Sequence, residues 1–245
     1  MTESHCDPPV GRLLNTETRF IRLLVALSLM IAAAPFVGVL QASFGRWWAG
    51  TLFEVVFAFM LLSAALAVAT RVNQRRLTVT LALICTVLSW FAYQYDAFGL
   101  RLSKDLLAVF FLGYVIVLIV GYLFHQRRVT NDMVAGSLCA YLLIGVCWAV
   151  IYSIVNEISP QSFNLPENES IGFTGKNTVN SLYFSLVTLT ALGFVDITPA
   201  SNVARILTSA EALVGQIYLV VLVARLVGMQ NAVDLGDEQQ QHPSG

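Results

Sequence analysis

Long apolar runs alternate with short polar breaks along most of the chain. Six of them, approximately Phe20–Leu40, Thr51–Thr70, Leu77–Tyr95, Leu106–Phe124, Met133–Val155 and Val203–Val227, have about the 20 residues a helix needs to cross a bilayer. Hydrocarbon offers the backbone no hydrogen-bond partner, so each run has to close its own bonds as a helix. A seventh apolar stretch, Val179–Leu192, is too short to cross and reads as a re-entrant or buried piece. The pattern predicts an all-α integral membrane protein with six transmembrane helices, one interrupted element and no internal repeat.

Composition agrees with the pattern. The chain has 245 residues, 57% hydrophobic and 12% charged, with a mean hydropathy of +0.71. A soluble domain carries about 25% charged residues; at half that, a soluble fold would leave too much apolar surface in water. Disordered and disulfide-scaffold classes are excluded as well. A net charge of −1 gives no basic field for nucleic acid. The cysteines, Cys6, Cys85, Cys139 and Cys147, lack metal-ligand spacing. His5, His125 and His242 sit at ends or in loops, and Glu54 and Glu211 are single acids without a patterned partner. An intramembrane enzyme would need convergent groups at depth, so the expectation is no enzyme, no cofactor and no bound metal. A secondary transporter would show repeat symmetry and paired broken helices.

Basic residues set the expected orientation. With the N-terminus inside, the inner segments hold Arg12, Arg19, Arg22, Arg71, Arg75, Arg76, Arg127, Arg128 and Arg225. The outer ones hold Arg46, Arg101, Lys104, Lys176 and Arg205, so the ratio is nine to five. Both termini are then cytoplasmic, in a plasma or inner membrane, and Asn156–Asn202 faces outward. Met1–Asn15 lacks the basic start and early apolar core of a signal peptide, so the first span is the expected targeting signal. Asn168-Glu169-Ser170 matches a glycosylation sequon at a frequency expected by chance. The basic residues at cytoplasmic ends read as topology determinants and headgroup contacts. Ala32-Ala33-Ala34 and Ala64-Ala65 are small enough to mediate helix packing.

The informative stretch is Asn180–Ala200, NSLYFSLVTLTALGFVDITPA. It resembles the pore loop of the potassium-channel superfamily, whose filter reads T-V-G-Y-G-D behind a pore helix ending T-x-T. The matching residues are Thr188-Leu189-Thr190, Ala191-Leu192-Gly193-Phe194-Val195-Asp196 and Ile197-Thr198-Pro199. Glu211–Tyr218 and Val223–Gly228 look like the inner helix of bacterial members, with Gly215 at the hinge position. The resemblance covers roughly Asn177–Gly228. It implies a re-entrant pore helix and filter loop, four chains around one pore, and an ion-selectivity filter formed by Thr190, Ala191, Leu192, Gly193, Phe194, Val195 and Asp196. Tyr183 and Thr188 would support the filter, and potassium, with sodium as the alternative, would be the permeant ion. The implied organisation is a cytoplasmic N-terminal segment (1–19), a four-helix transmembrane bundle (20–128), a pore domain (129–228) and a cytoplasmic tail (229–245). The fourth run carries no Lys or Arg between Asp105 and His125, so the bundle lacks the arginines of a voltage sensor.

The chemistry of these residues points the same way. A permeating cation must exchange its water shell for protein oxygens. Backbone carbonyls can supply them where the chain takes unusual angles, which glycine adopts most readily. A short helix over about Val179–Thr190, capped by Thr178 or Asn180, would aim the partial negative charge of its C-terminus, about half an elementary charge, at a cation below. Gly, Asp and Pro also make ordinary turns, but a surface turn does not explain the re-entrant length, the T-x-T ending and the glycine-bearing span that follows.

Two departures bear on selectivity. Ala191 replaces the threonine whose hydroxyl helps form the innermost ion site. Val195 replaces the second glycine; a left-handed L-residue there would cost roughly 1–2 kcal/mol per chain, so the outer filter is expected to relax into another shape. Phe194 lacks the tyrosine hydroxyl that braces a filter from behind, while Asp196 keeps its place with Tyr183 as a hydrogen-bond partner. Cation preference should persist while potassium-over-sodium selectivity weakens. Gly215 reads either as a bend point or as a close-packing site. Glu211, one turn earlier on the same face, either lines the cavity or braces the pore helix. The competing function is a non-conducting, channel-like membrane scaffold or sensor.

Overall fold

The computed structural model describes residues 19–44, 55–64, 72–95, 97–126, 130–166, 169–173 and 177–241. They form helices α1 (Arg19–Phe44), α2 (Val55–Ala64), α3 (Val72–Tyr95), α4 (Phe98–His125), α5 (Asn131–Ile158), α6 (Asn177–Leu189) and α7 (Asn202–Gln241). Two-residue strands β1 (Phe163–Asn164) and β2 (Thr198–Pro199) pair antiparallel, Phe163 opposite Pro199 and Asn164 opposite Thr198.

The all-α membrane class follows from these elements. Among the described residues three helices are long and apolar enough to cross a membrane: Phe98–His125, Asn131–Ile158 and Asn202–Met229. Phe20–Phe36, Val55–Ala64 and Arg76–Ala92 are shorter apolar helices. Arg12, Arg46, Arg71, Arg127, Arg128, Lys176, Cys6, Glu54, His5, His242, Ala65 and the sequon residue Asn168 lie outside the described residues, as do residues 1–18 of the N-terminal segment and 242–245 of the tail.

Helix α5 is the centre of the packing and touches α1, α4, α6 and α7. Thr130 caps it, its hydroxyl accepting from the Met133 amide at 3.2 Å, and Asp132 places a negative charge in the first turn, where the helix dipole favours it. Asp132 also accepts from the Phe20 amide at 3.2 Å, satisfying an orphan donor at the start of α1. The main core joins Leu23, Leu27 and Met30 of α1, Met60 and Leu61 of α2, Phe111, Val115 and Ile119 of α4, and Leu143 and Val146 of α5. A smaller aromatic core of Tyr152, Phe163 and Phe184, joined by Ile171, Ile197 and Ala204, packs behind α6.

Several boundaries differ from the sequence reading: α3 begins at Val72 rather than Leu77, and α4 at Phe98 rather than Leu106. Helix α6 begins at Asn177, so Thr178 and Asn180 lie inside its first turn and neither caps it. Asn180 donates instead to the Ser170 carbonyl at 3.2 Å. Helix α7 does not stop near Val227 but runs 40 residues to Gln241, about 60 Å at the usual rise, so most of the segment read as a tail is helical. Hydropathy marks only where a helix leaves the apolar region, not where its backbone hydrogen bonds end.

Candidate functional site

The end of α6 builds the site. The Leu192 amide donates to the Val187 carbonyl and the Ala191 amide to the Thr188 carbonyl, both at 3.0 Å. This is a Schellman ending, which satisfies carbonyls that the helix would otherwise leave unpaired. The Leu189 carbonyl accepts from the Tyr141 hydroxyl of α5 at 3.1 Å. The motif needs a left-handed residue just past the helix, usually glycine; here it is Ala191, with φ 56°. Gly193 follows with φ 70°.

Left-handed residues therefore alternate with ordinary ones through Ala191, Leu192, Gly193 and Phe194. Val195 is not left-handed. Val195 thus avoids a left-handed backbone; within the loop the non-glycine residue that carries one is Ala191.

Phe194 stacks on Tyr183 of α6, ring centroids 6.5 Å apart and planes within 6°. The Tyr183 hydroxyl and the Asp196 carboxylate interact electrostatically. The structure thus brings Tyr183, Phe194 and Asp196 together, with the hydroxyl carried by α6 rather than by the loop. Thr188 is buried in α6, and the Thr190 hydroxyl turns back to the Leu186 carbonyl at 2.6 Å. Every residue from Thr190 to Asp196 is exposed in the single chain, including Leu192 at 64% and Val195 at 83%.

The loop is anchored beyond Asp196. The Ala200 and Ser201 amides donate to the Ser162 carbonyl at 2.8 and 3.2 Å, and Asn164 donates to the Thr198 hydroxyl at 3.2 Å, so the β1–β2 pair holds the exit of the loop against the segment that follows α5.

Helix α7 crosses the end of α6 at Gly215. A Cβ built there would lie 2.3 Å from the Leu189 carbonyl oxygen, closer than any side chain tolerates; this approach alone requires glycine. One turn earlier Glu211 is fully buried. Its carboxyl group takes a hydrogen bond from the Tyr152 hydroxyl of α5 and lies 2.5 Å from the Ser185 Oγ of α6. Glu211 thus links α7 to α5 and α6 through side-chain contacts.

A second polar cluster escaped the sequence reading. Lys104 and Asp105 of α4 are both buried and pair at 2.9 Å. Lys104 also donates to the Phe173 carbonyl at 3.0 Å. Asp105 accepts from Ser153 of α5 at 2.8 Å, and the Ser153 oxygen accepts from the Phe173 amide at 2.9 Å. Arg101 and Glu157 pair alongside at 2.8 Å. The available signal is two adjacent opposite charges at the start of an uncharged run.

Comparison with known proteins bears on residues 137–230, which match the family model described as ion channel. The two pore potassium channel a of Oryza sativa subsp. japonica is 27% identical over 104 residues, 42% of this chain and 26% of that protein. The matched stretch thus spans about a quarter of the relative's length. No solved structure matches the chain. The matched span begins in α5, takes in α6, the Ala191–Asp196 loop and the apolar part of α7, and ends where that helix leaves its apolar stretch. Over residues 137–230 the chain is similar to the ion channel family, a likeness that supports a relation to the potassium-channel superfamily.

Proposed function

We propose that four copies of this chain surround one pore and carry monovalent cations passively across the membrane, with potassium as the principal ion. Thr190–Asp196 forms the selectivity filter of each copy, Tyr183 and Thr188 support it from α6, and Gly215 lets α7 approach. Six helices cross the bilayer, α6 enters and returns, and both termini face the cytoplasm.

The observation that carries this reading is the exposed Thr190–Asp196 loop on the end of α6, with left-handed backbone at Ala191 and Gly193. Filters coordinate dehydrated cations with such irregular backbone, which membranes tolerate only where it lines a cavity or is buried in protein. Further support comes from α7: only 6% of its apolar window is buried, against 56% in α5. Lipid covers one side of a helix; neighbouring copies and a water-filled path account for the rest.

Ala191 supplies no hydroxyl to the innermost ion position, and Val195, outside the left-handed region, cannot repeat the turn of a second glycine. Both changes spare the helix dipoles and carbonyls that favour cations and alter the detail that separates potassium from sodium. Reversal potentials of the purified protein in planar bilayers, under opposed potassium and sodium gradients, test this. The expected result is unitary cation currents with a potassium preference below that of filters carrying both glycines. The Ala191→Thr/Val195→Gly double variant should raise that preference. An absence of unitary steps would leave the non-conducting scaffold.

A further inference from the structure

We propose that Glu211 is a positioning residue that works as a proton-bearing acid, donating to Ser185 and accepting from Tyr152, and thereby fixes α6 between α5 and α7. The argument is a count of protons. The Ser185 hydroxyl lies 2.7 Å from the Gly145 carbonyl and 2.5 Å from Glu211 Oε1. A serine hydroxyl holds one proton, so it cannot donate along both of these short contacts, and the carbonyl of Gly145 has no proton to give. The Tyr152 proton is already directed at Glu211 Oε2. The set closes when Oε1 carries the acid proton and donates it to Ser185 Oγ, leaving the serine's own proton for Gly145. Each contact then has one donor and one acceptor.

The surroundings agree. Tyr141, Cys147 and Tyr152 of α5 face the carboxyl group, Ser185 faces it from α6, and Thr208 of α7 lies beside Tyr152. Among the described residues no Lys, Arg or His pairs with it. A buried carboxylate without a cation is costly; a neutral acid with both oxygens in hydrogen bonds is not. The three helices joined at this point are the central helix of the fold, the helix that ends in the Ala191 turn and the helix that meets that end four residues later at Gly215.

Glutamine reproduces the hydrogen-bond pattern of the neutral acid: its carbonyl accepts from Tyr152 and its amide donates to Ser185. The importance for ion passage rests on the channel reading; the brace itself does not. The test uses the full chain in lipid nanodiscs, with Glu211→Gln, Glu211→Ala and the volume-conserving Tyr152→Phe. Infrared difference spectra should show a protonated carboxylic acid carbonyl band in the wild type that is lost in Glu211→Gln. Amide exchange across residues 181–192 should match the wild type in Glu211→Gln and accelerate about tenfold in Glu211→Ala, the equivalent of one to two lost hydrogen bonds, with a smaller increase in Tyr152→Phe. If Glu211→Ala does not assemble, Tyr152→Phe against Glu211→Gln carries the comparison. Exchange in Glu211→Gln as fast as in Tyr152→Phe, or no lost acid band, overturns the proposal. A wild type with the band and glutamine rescue but no current leaves the brace standing and removes the pore reading.

Discussion

Two single residues at the end of α6 carry opposite backbone problems. Ala191 has a side chain where the left-handed Schellman position favours none. Replacing it with glycine should stabilise the fold by about 1 kcal/mol, less the extra freedom glycine gives the unfolded chain, read as a raised melting midpoint of the detergent-solubilised protein. Gly215 has no side chain where none fits. Gly215→Ala should destabilise by about 1–3 kcal/mol, because the added methyl group meets a backbone oxygen rather than a flexible side chain. The same melting experiment checks both, and the two shifts should have opposite signs. These sites differ in how legible they were. Gly215 stood out as a glycine in mid-span, where the sequence left both bending and packing open; the Leu189 carbonyl adds a close approach to it. The left-handed Ala191 was hidden, since alanine is the strongest helix former and only the tertiary setting imposes the turn. Tyr183 and Asp196 were readable as partners, because one faces outward from a short helix and the other follows it at loop distance.

At the scale of elements, the link between α4 and the lead-in to α6 runs through charges that few helices bury. Lys104, Asp105, Ser153 and the Phe173 backbone form one connected set. Removing one partner leaves the other buried and uncompensated, so Lys104→Met or Asp105→Asn alone should cost about 3–5 kcal/mol. The double replacement should recover most of that loss, which a double-mutant cycle on unfolding in mild detergent measures. Adjacent residues on a helix do not usually face each other, so the two neighbouring opposite charges were a weak signal of the pair. The apolar runs did announce the helices, within a few residues at most ends. The main exceptions were the early start of α4 at Phe98 and the continuation of α7 to Gln241, both through polar residues where backbone hydrogen bonding outlasts the hydrophobic signal.

For the molecule as a whole, the loop and α7 both leave large apolar side chains exposed in a single chain. Leu192, Phe194 and Val195 are exposed together, an arrangement isolated proteins avoid. Native mass spectrometry from mild detergent should find four chains, and a charged substitution such as Leu213→Glu on the exposed face of α7 should shift the population towards single chains. The membrane class was open to view in the composition. The proposal of four chains rests on the loop motif, since hydropathy does not distinguish a face meant for lipid from one meant for another protein.

The fit between Gly215 and the Leu189 carbonyl leaves no clearance for slippage. Any rotation or lengthwise travel of α7 at that level must carry the end of α6 and the Ala191–Asp196 loop with it, so movement begun at one end of α7 reaches that loop through direct contact.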